Sequence, residues 1–178
     1  PPDSAGSIMT TEYVRLSEEM TVEDAFARIR REGVDKETIY TCYVTAADRR
    51  LIGLVTVKTL LLSDKATTVG EIMERNVISV RTDTDRELVA QELSKYDFLA
   101  MPVTDGENRL VGIVTFDDAI DVMQEEATED IEKMAAITPT DKPYLKTGVV
   151  ESFIKRIPWL CLLMISATFT GAIITYFE

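Results

Sequence analysis

Residues 49–61 read RRLIGLVTVKTLL, and residues 108–120 read NRLVGIVTFDDAI. Arg50/Arg109, Leu51/Leu110, Gly53/Gly112, Val55/Val114 and Thr56/Thr115 are identical pairs. Upstream of each stretch lies an Ile-Met pair, in IMTTEYVRLSEEMTVEDAFARIRRE from Ile8 and in IMERNVISVRTDTDRELVAQELSKYD from Ile72. An internal duplication with a period of about sixty residues means two copies of one small motif, and it takes precedence over any element-by-element assignment.

Working outward, each repeat reads strand, helix, strand, strand, helix. In the first, Thr21 with Asp24 caps a helix whose apolar residues Val22, Ala25, Phe26 and Ile29 fall at helical spacing. IYTCYVT, residues 39–45, is rich in β-branched and aromatic residues and reads as a buried strand. The turn AADRR leads into the strand LIGLVTV and then a short helix. In the second repeat, Asp85 or Thr84 caps LVAQELSKY; LAMPVT, the turn DGEN and LVGIVTF follow. The Asp-Gly step in that turn is a hairpin signal. The expected class is α+β (α/β mixed), with repeat 1 over 1–71 and repeat 2 over 72–135.

Composition bounds the function. The net charge of −12 disfavours nucleic acid and anionic lipid as general partners and favours cations. The absence of histidine removes Ser-His-Asp and Cys-His catalysis and the commonest zinc ligand. With no nucleophile-and-base set in view, an enzyme is not expected. Cys42 lies in the polar part of the chain and Cys161 in an apolar tail, so no bridge between them is expected. The chain opens at Pro1-Pro2 without an initiator Met and is read as a fragment of a longer protein.

Residues 157–177, IPWLCLLMISATFTGAIITYF, carry no charge. As a helix this segment would be roughly 31 Å long, the thickness of a bilayer's hydrocarbon core. Trp159 near one end and Tyr176 and Phe177 at the other suit interfacial anchoring, and Pro158 is expected in the first helical turn. Lys155 and Arg156 precede the span, which puts the N-terminal side in the cytoplasm by the positive-inside rule. Residues 136–156 are expected to form a connector and an amphipathic helix, the connector of 137–142 being broken by Pro139 and by Pro143 just beyond it. The amphipathic helix, YLKTGVVESFIKRI, follows and runs directly into the membrane helix of 157–178.

PVTDGENRLVGIVTFDD resembles the end of a cystathionine-β-synthase (CBS) domain, and the duplication resembles a CBS tandem. That resemblance implies two β-α-β-β-α units packed through their sheets, and homodimerisation through them. Together with DDAIDVMQEEATEDIEK, the YDF of Tyr96–Phe98 and the basic-flanked span, the whole chain is similar to the MgtE family of magnesium transporters. The resemblance implies a cytoplasmic regulatory region attached to a multi-pass protein of the cell membrane. An N-terminal helical domain and most of the membrane domain would lie outside this chain. It further implies that the amphipathic helix plugs the pore and that bound Mg²⁺ favours the closed state.

From Asp117 to Glu132 there are eight acids and no base. Asp118, Asp121, Glu125 and Glu129, at steps of three and four, would stack along one helical face at a cost of about 0.2–0.5 kcal/mol per like-charged pair. Oxygen-only ligands select hard cations. An EF-hand beginning at Asp83, Asp85 and Glu87 fails, because Leu88 stands where glycine is required and Ser94 where the bidentate Glu belongs. A surface holding hydrated Mg²⁺ remains. By matching position, the family resemblance implies Asp97, Asp118, Asp121, Glu126, Glu129 and Asp130 as ion-binding residues, with Asp85 and Glu87 as further candidates. Helical geometry adds Glu125. The alternative is a solvated acidic face, on which Asp85 and Asp118 are ordinary helix caps.

A second ligand is implied by the CBS resemblance: ATP or another adenine nucleotide. Thr115 would meet a phosphate and Asp118 the ribose hydroxyls. In repeat 1 Thr56 is retained, but Thr59 stands where the Asp is expected, leaving at most one such site. On this alternative reading the chain is a nucleotide-sensing module that regulates another membrane protein.

Overall fold

The computed structural model describes residues 3–134 and 149–177. The chain divides into two bodies, residues 1–123 and 124–178. The first holds both repeats except the later part of their last helix, from residue 124 on.

Repeat 1 comprises α1 (Ala5–Ile8), β1 (Tyr13–Leu16), α2 (Val22–Glu32), β2 (Thr38–Thr45), β3 (Leu51–Thr56) and α3 (Val57–Leu62). A single 3₁₀ turn at Gly33–Asp35 follows α2. Repeat 2 comprises α4 (Val69–Ile72), β4 (Val80–Arg81), α5 (Arg86–Tyr96), β5 (Ala100–Thr104), β6 (Leu110–Thr115) and α6 (Phe116–Met134). Each repeat builds one three-stranded sheet, β1-β2-β3 and β4-β5-β6, with the first pair parallel and the second antiparallel. The β-α-β-β-α order is as expected, but a short leader helix precedes it in each copy.

Local chemistry explains the boundaries. Thr21 caps α2 in a full capping box: the Asp24 amide donates to Thr21 Oγ1 and the Thr21 amide to the Asp24 carboxylate, each at 3.2 Å. The Thr21 hydroxyl, which donates to Asp24 Oδ2 at 2.7 Å, and then the Thr21 amide hold the Asp24 carboxyl below its usual range. Asp85 caps α5 by accepting the Glu87 amide at 2.8 Å. Both hairpin turns place their left-handed residue at equivalent positions, Arg49 (φ 71°) and Asn108 (φ 59°). The Asp-Gly step therefore marks the hairpin without supplying its special residue. The loop is longer than a two-residue turn, and Asp105 Oδ1 braces it by accepting the Glu107 and Arg109 amides at 2.9 Å each.

Three apolar clusters hold this body together. Val14, Leu16, Val22, Ala25, Ile29, Val44, Val55 and Leu60 pack one side of sheet 1 with α2 and α3. Val80, Val89, Leu93, Met101, Val103, Val114, Ala119 and Val122 do the same for sheet 2 with α5 and the start of α6. The third cluster, Tyr43, Leu51, Ala100, Leu110 and Ile113, draws on both sheets. Packing through the sheets thus buries the second face that helices on one side would leave apolar. The two turns lock the pair: the Leu51 amide donates to Asn108 O at 2.9 Å and the Leu110 amide to Arg49 O at 3.0 Å.

The leaders exchange places. α1 packs Ala5, Ile8 and Met9 into the core of repeat 2, whereas α4 packs Val69, Ile72 and Met73 into that of repeat 1.

Tyr43 in the shared core is fully buried, meets Tyr13 edge to face at 6.1 Å, and its hydroxyl has no hydrogen-bond partner among the described residues. Burial, with the neighbouring Cys42 second, pushes its phenol well above the ordinary range. Tyr43→Phe removes a desolvated, unpaired hydroxyl and is expected to raise stability by about 1 kcal/mol, readable in urea titrations. Burial likewise pushes the Cys42 thiol up to about 12, which makes it an inert core residue.

The second body contains α7 (Val149–Phe177). Its segment Arg156–Tyr176 is long and apolar enough to cross a membrane, with mean hydropathy 2.0 and none of it buried. The hydroxyls of Thr168, Thr170 and Thr175 donate to the carbonyls four residues back at 2.8–3.0 Å, the internal satisfaction that hydrocarbon demands. Pro158 departs from expectation. It lies inside α7 rather than in its first turn, because the helix starts at Val149 and the segment before the span is continuous with it. Lacking an N–H, Pro158 leaves the Ile154 carbonyl without its usual donor. The connector of 137–142, with Pro139 and Pro143, and the start of the amphipathic segment through Gly148 lie outside the described residues.

Candidate functional site

The site begins where β6 runs into α6. Thr115, buried at the strand end, donates its hydroxyl to Asp118 Oδ2 at 2.8 Å. The Phe116 amide donates to the Leu99 carbonyl at 3.0 Å, which brings the loop bearing Asp97 to the start of α6. Asp97 itself closes α5 in the left-handed conformation (φ 55°, ψ 36°), a geometry that Asp tolerates better than most residues. The Tyr96 and Phe98 rings flanking it stack at 5.4 Å. Asp97 and Asp121 are exposed and Asp118 is half-buried.

Thr115, Asp118, Asp121 and the Asp97 loop therefore share one end of repeat 2. The other candidates do not join them. Asp85 and Glu87 sit at the opposite end of α5, about 16 Å away along the helix axis. Asp85 is a helix cap, as the solvated-face alternative has it. Along α6, Asp118 and Asp130 are separated by about 18 Å of helical rise, so one ion does not serve both. Among the described residues, no three His, Cys, Asp or Glu side chains converge to hold a metal ion.

Further along α6, Asp130 and Glu125 are exposed while Glu126 and Glu129 are half-buried. Glu129 has a counter-charge that the run itself lacks: Lys133 reaches back one turn to it at 2.7 Å. Its bond to Glu129, then the charges of Glu129, Asp130 and Glu126, push the Lys133 ammonium up. The sequence holds the signal, a Lys four residues after Glu129, just beyond the base-free stretch.

Comparison of the repeats isolates what is particular to repeat 2. Thr56 caps α3 by accepting the Thr59 amide at 3.1 Å, and its hydroxyl meets Thr59 Oγ1 at 3.0 Å. Strand pairing places Thr56 opposite Thr41 and Thr115 opposite Ala100 at the same point of each sheet. Lys58, Thr59 and Leu62 thus correspond to Asp117, Asp118 and Asp121. The scaffold is duplicated, but at these three positions only the second copy carries carboxylates, and its helix runs on to Met134 whereas α3 stops at Leu62.

A family model for the CBS domain matches residues 5–64 and 69–125. The chain is 46% identical over 176 residues to a magnesium transporter MgtE of Thermus thermophilus, covering 99% of this chain and 39% of that protein. It is 40% identical over 178 residues to a magnesium transporter MgtE of Bacillus subtilis, covering 100% of this chain and 39% of that protein. It thus spans about two fifths of the length of these relatives. Among solved structures, the cytosolic domain of the Mg²⁺ channel MgtE in complex with ATP is 49% identical, with a TM-score of 0.67 over 68% of this chain and 49% of that one. The soluble part of a magnesium transporter is 42% identical, with a TM-score of 0.70 over 71% of this chain and 50% of that one. With two copies of the motif matched over well more than half of its length, the chain belongs to the CBS-domain family as a tandem pair.

Proposed function

We propose that this chain is the cytoplasmic regulatory region of a magnesium transporter, joined through α7 to a multi-pass domain in the cell membrane. Its role is to sense Mg²⁺ rather than to catalyse a reaction. The observation that carries the reading is that carboxylates stand at three matched positions in repeat 2 alone, on the helix that precedes the membrane segment in the chain. A structural repeat alone gives no reason for Asp117, Asp118 and Asp121 to replace Lys58, Thr59 and Leu62 at matched positions. The donor set fits a hard cation that keeps part of its water shell. Asp97, Asp118 and Asp121 would hold one such ion against an acidic surface of another domain or subunit. Glu125, Glu126, Glu129 and Asp130 would hold others further along. Mg²⁺ relieves the repulsion between the two surfaces, draws them together and favours a closed pore. The exposed apolar row of Phe116, Ile120 and Met123, at helical spacing, supports pairing with a second copy of the chain.

The test is thermal unfolding of the chain in detergent with MgCl₂ or with NaCl at matched ionic strength. Screening alone acts in both series. At a hundred times its dissociation constant, Mg²⁺ bound only by the folded form adds about 2.7 kcal/mol. Asp118→Ala with Asp121→Ala is expected to remove the excess over NaCl. Equal effects of the two salts sink the reading and leave a solvated acidic face.

A second reading is adenine-nucleotide binding at Thr115 and Asp118, favoured by the similarity to a cytosolic domain solved with ATP. ATP without Mg²⁺, added in the same assay, separates the two ligands.

A further inference from the structure

The exchanged leaders bear on the β6–α6 junction. Ala5-Gly6-Ser7-Ile8-Met9 and Val69-Gly70-Glu71-Ile72-Met73 are two versions of one segment, and each is fastened to the other repeat's scaffold. The Ala5 and Gly6 amides donate to Thr84 O (2.7 Å) and Thr82 O (3.0 Å), and the Arg86 amide to Asp3 O (3.3 Å). Thr10 and Ile113 exchange both backbone bonds, at 2.8 and 2.9 Å. Leu54 and Glu74 do the same in the first repeat, at 3.0 and 2.9 Å. The glycines permit the close approach: a Cβ on Gly6 would lie 3.1 Å from Thr82 O, and one on Gly70 would lie 3.1 Å from Glu18 O.

Repeat 2 is therefore closed by the segment that precedes β1 in the chain, joined to it through the short link Thr11-Glu12. The last bond of that segment falls on Ile113, two residues before Thr115 and five before Asp118. We propose that residues 3–10 form a releasable strap that fixes the β6–α6 junction. Strap docking and ligand occupancy at Thr115 and Asp118 are then linked, each favouring the other by the same factor. The linkage rests on the function proposed above; the strap does not.

Native-state hydrogen exchange on the whole chain in detergent tests both. In the unaltered protein, the Ala5, Gly6, Thr10 and Ile113 amides should exchange as one group through a local opening, faster than the core amides of Cys42 and Val103. Gly6→Val and the stronger Ala5→Asp should speed exchange at Ile113 and Phe116 by at least about tenfold while Leu54 stays protected; Gly70→Val should do the reverse. If Ile113 exchanges only with the global core, or if Gly6→Val loosens both repeats alike, the strap is refuted. Saturating MgCl₂, relative to matched NaCl, should slow exchange of Gly6 and Thr10, and Asp118→Ala should abolish that slowing. Mg²⁺ stabilisation of the chain without slowing at Gly6 and Thr10 overturns the linkage and leaves the sensor reading standing. No Mg²⁺ stabilisation at all fails the sensor reading, and the strap is then judged on the variants alone.

Discussion

Gly112→Val is expected to lower the unfolding free energy by about 3 kcal/mol, the upper end of the range for overpacking a tight interior. Gly112 is buried in β6 opposite Val103, with the strap crossing directly over it. A Cβ there would stand 2.8 Å from Met9 Sδ and 2.9 Å from the Thr10 carbonyl oxygen. The methionine can swing aside, because its thioether chain has three rotatable bonds. The carbonyl cannot, because it accepts the Ile113 amide at 2.9 Å and moving it gives up that bond. Valine adds two further methyl groups to the clash. Gly53→Val should behave alike, since its Cβ would meet Met73 Sδ at 2.6 Å and Glu74 O at 3.0 Å. Urea unfolding followed by far-ultraviolet circular dichroism measures both. A loss below about 0.5 kcal/mol, the usual scale for unconstrained surface changes, would mean that the leaders do not press on the strands as described.

Those glycines also show how far the sequence could be read. Gly53 and Gly112 stand out as an identical pair in the duplicated strand, and the duplication is enough for fold class and for the order of elements along each repeat. Thr21 with Asp24, and Asp85, cap their helices by local chemistry that needs no tertiary information. The exchange of leaders is not legible, because the Ile-Met pair looks the same whichever repeat it packs on. Its destination depends on contacts between residues about a hundred positions apart, such as Thr10 with Ile113. Pro158 falls elsewhere than its local pattern suggests for a related reason. A charge-free run has visible ends, but a helix continues through them when the preceding residues are themselves helical, and a single proline kinks rather than ends it. At the candidate site, spacing alone is enough to align Asp118, Asp121, Glu125 and Glu129. The same spacing offers Lys133 to Glu129, four residues back; what it does not convey is that the Asp97 loop is tied to α6 through the Leu99 carbonyl.

Leu110→Ala is expected to cost about 3 kcal/mol and to shift one unfolding transition for both repeats together. Leu110 is 1% exposed and belongs to the cluster it forms with Tyr43, Leu51, Ala100 and Ile113. Truncation leaves the backbone bonds at this point intact: the Leu110 amide still reaches Arg49 O, and its carbonyl still accepts from Tyr13 Oη at 3.4 Å and Arg49 at 3.3 Å. The measured loss therefore reports packing and the cavity left behind. Leu88→Ala on α5, where the leucine is 49% exposed, is the control and should stay within about 0.5 kcal/mol. If the repeats fold independently, Leu110→Ala will split the transition or move only part of it. A single shifted transition means that stability added in one repeat is shared by the other. A cation held only by carboxylates of repeat 2 would then protect the amide of Cys42 in repeat 1 as well, because global unfolding is the route by which both exchange. That is the physical requirement for a ligand bound at one junction to act on the tandem as a unit.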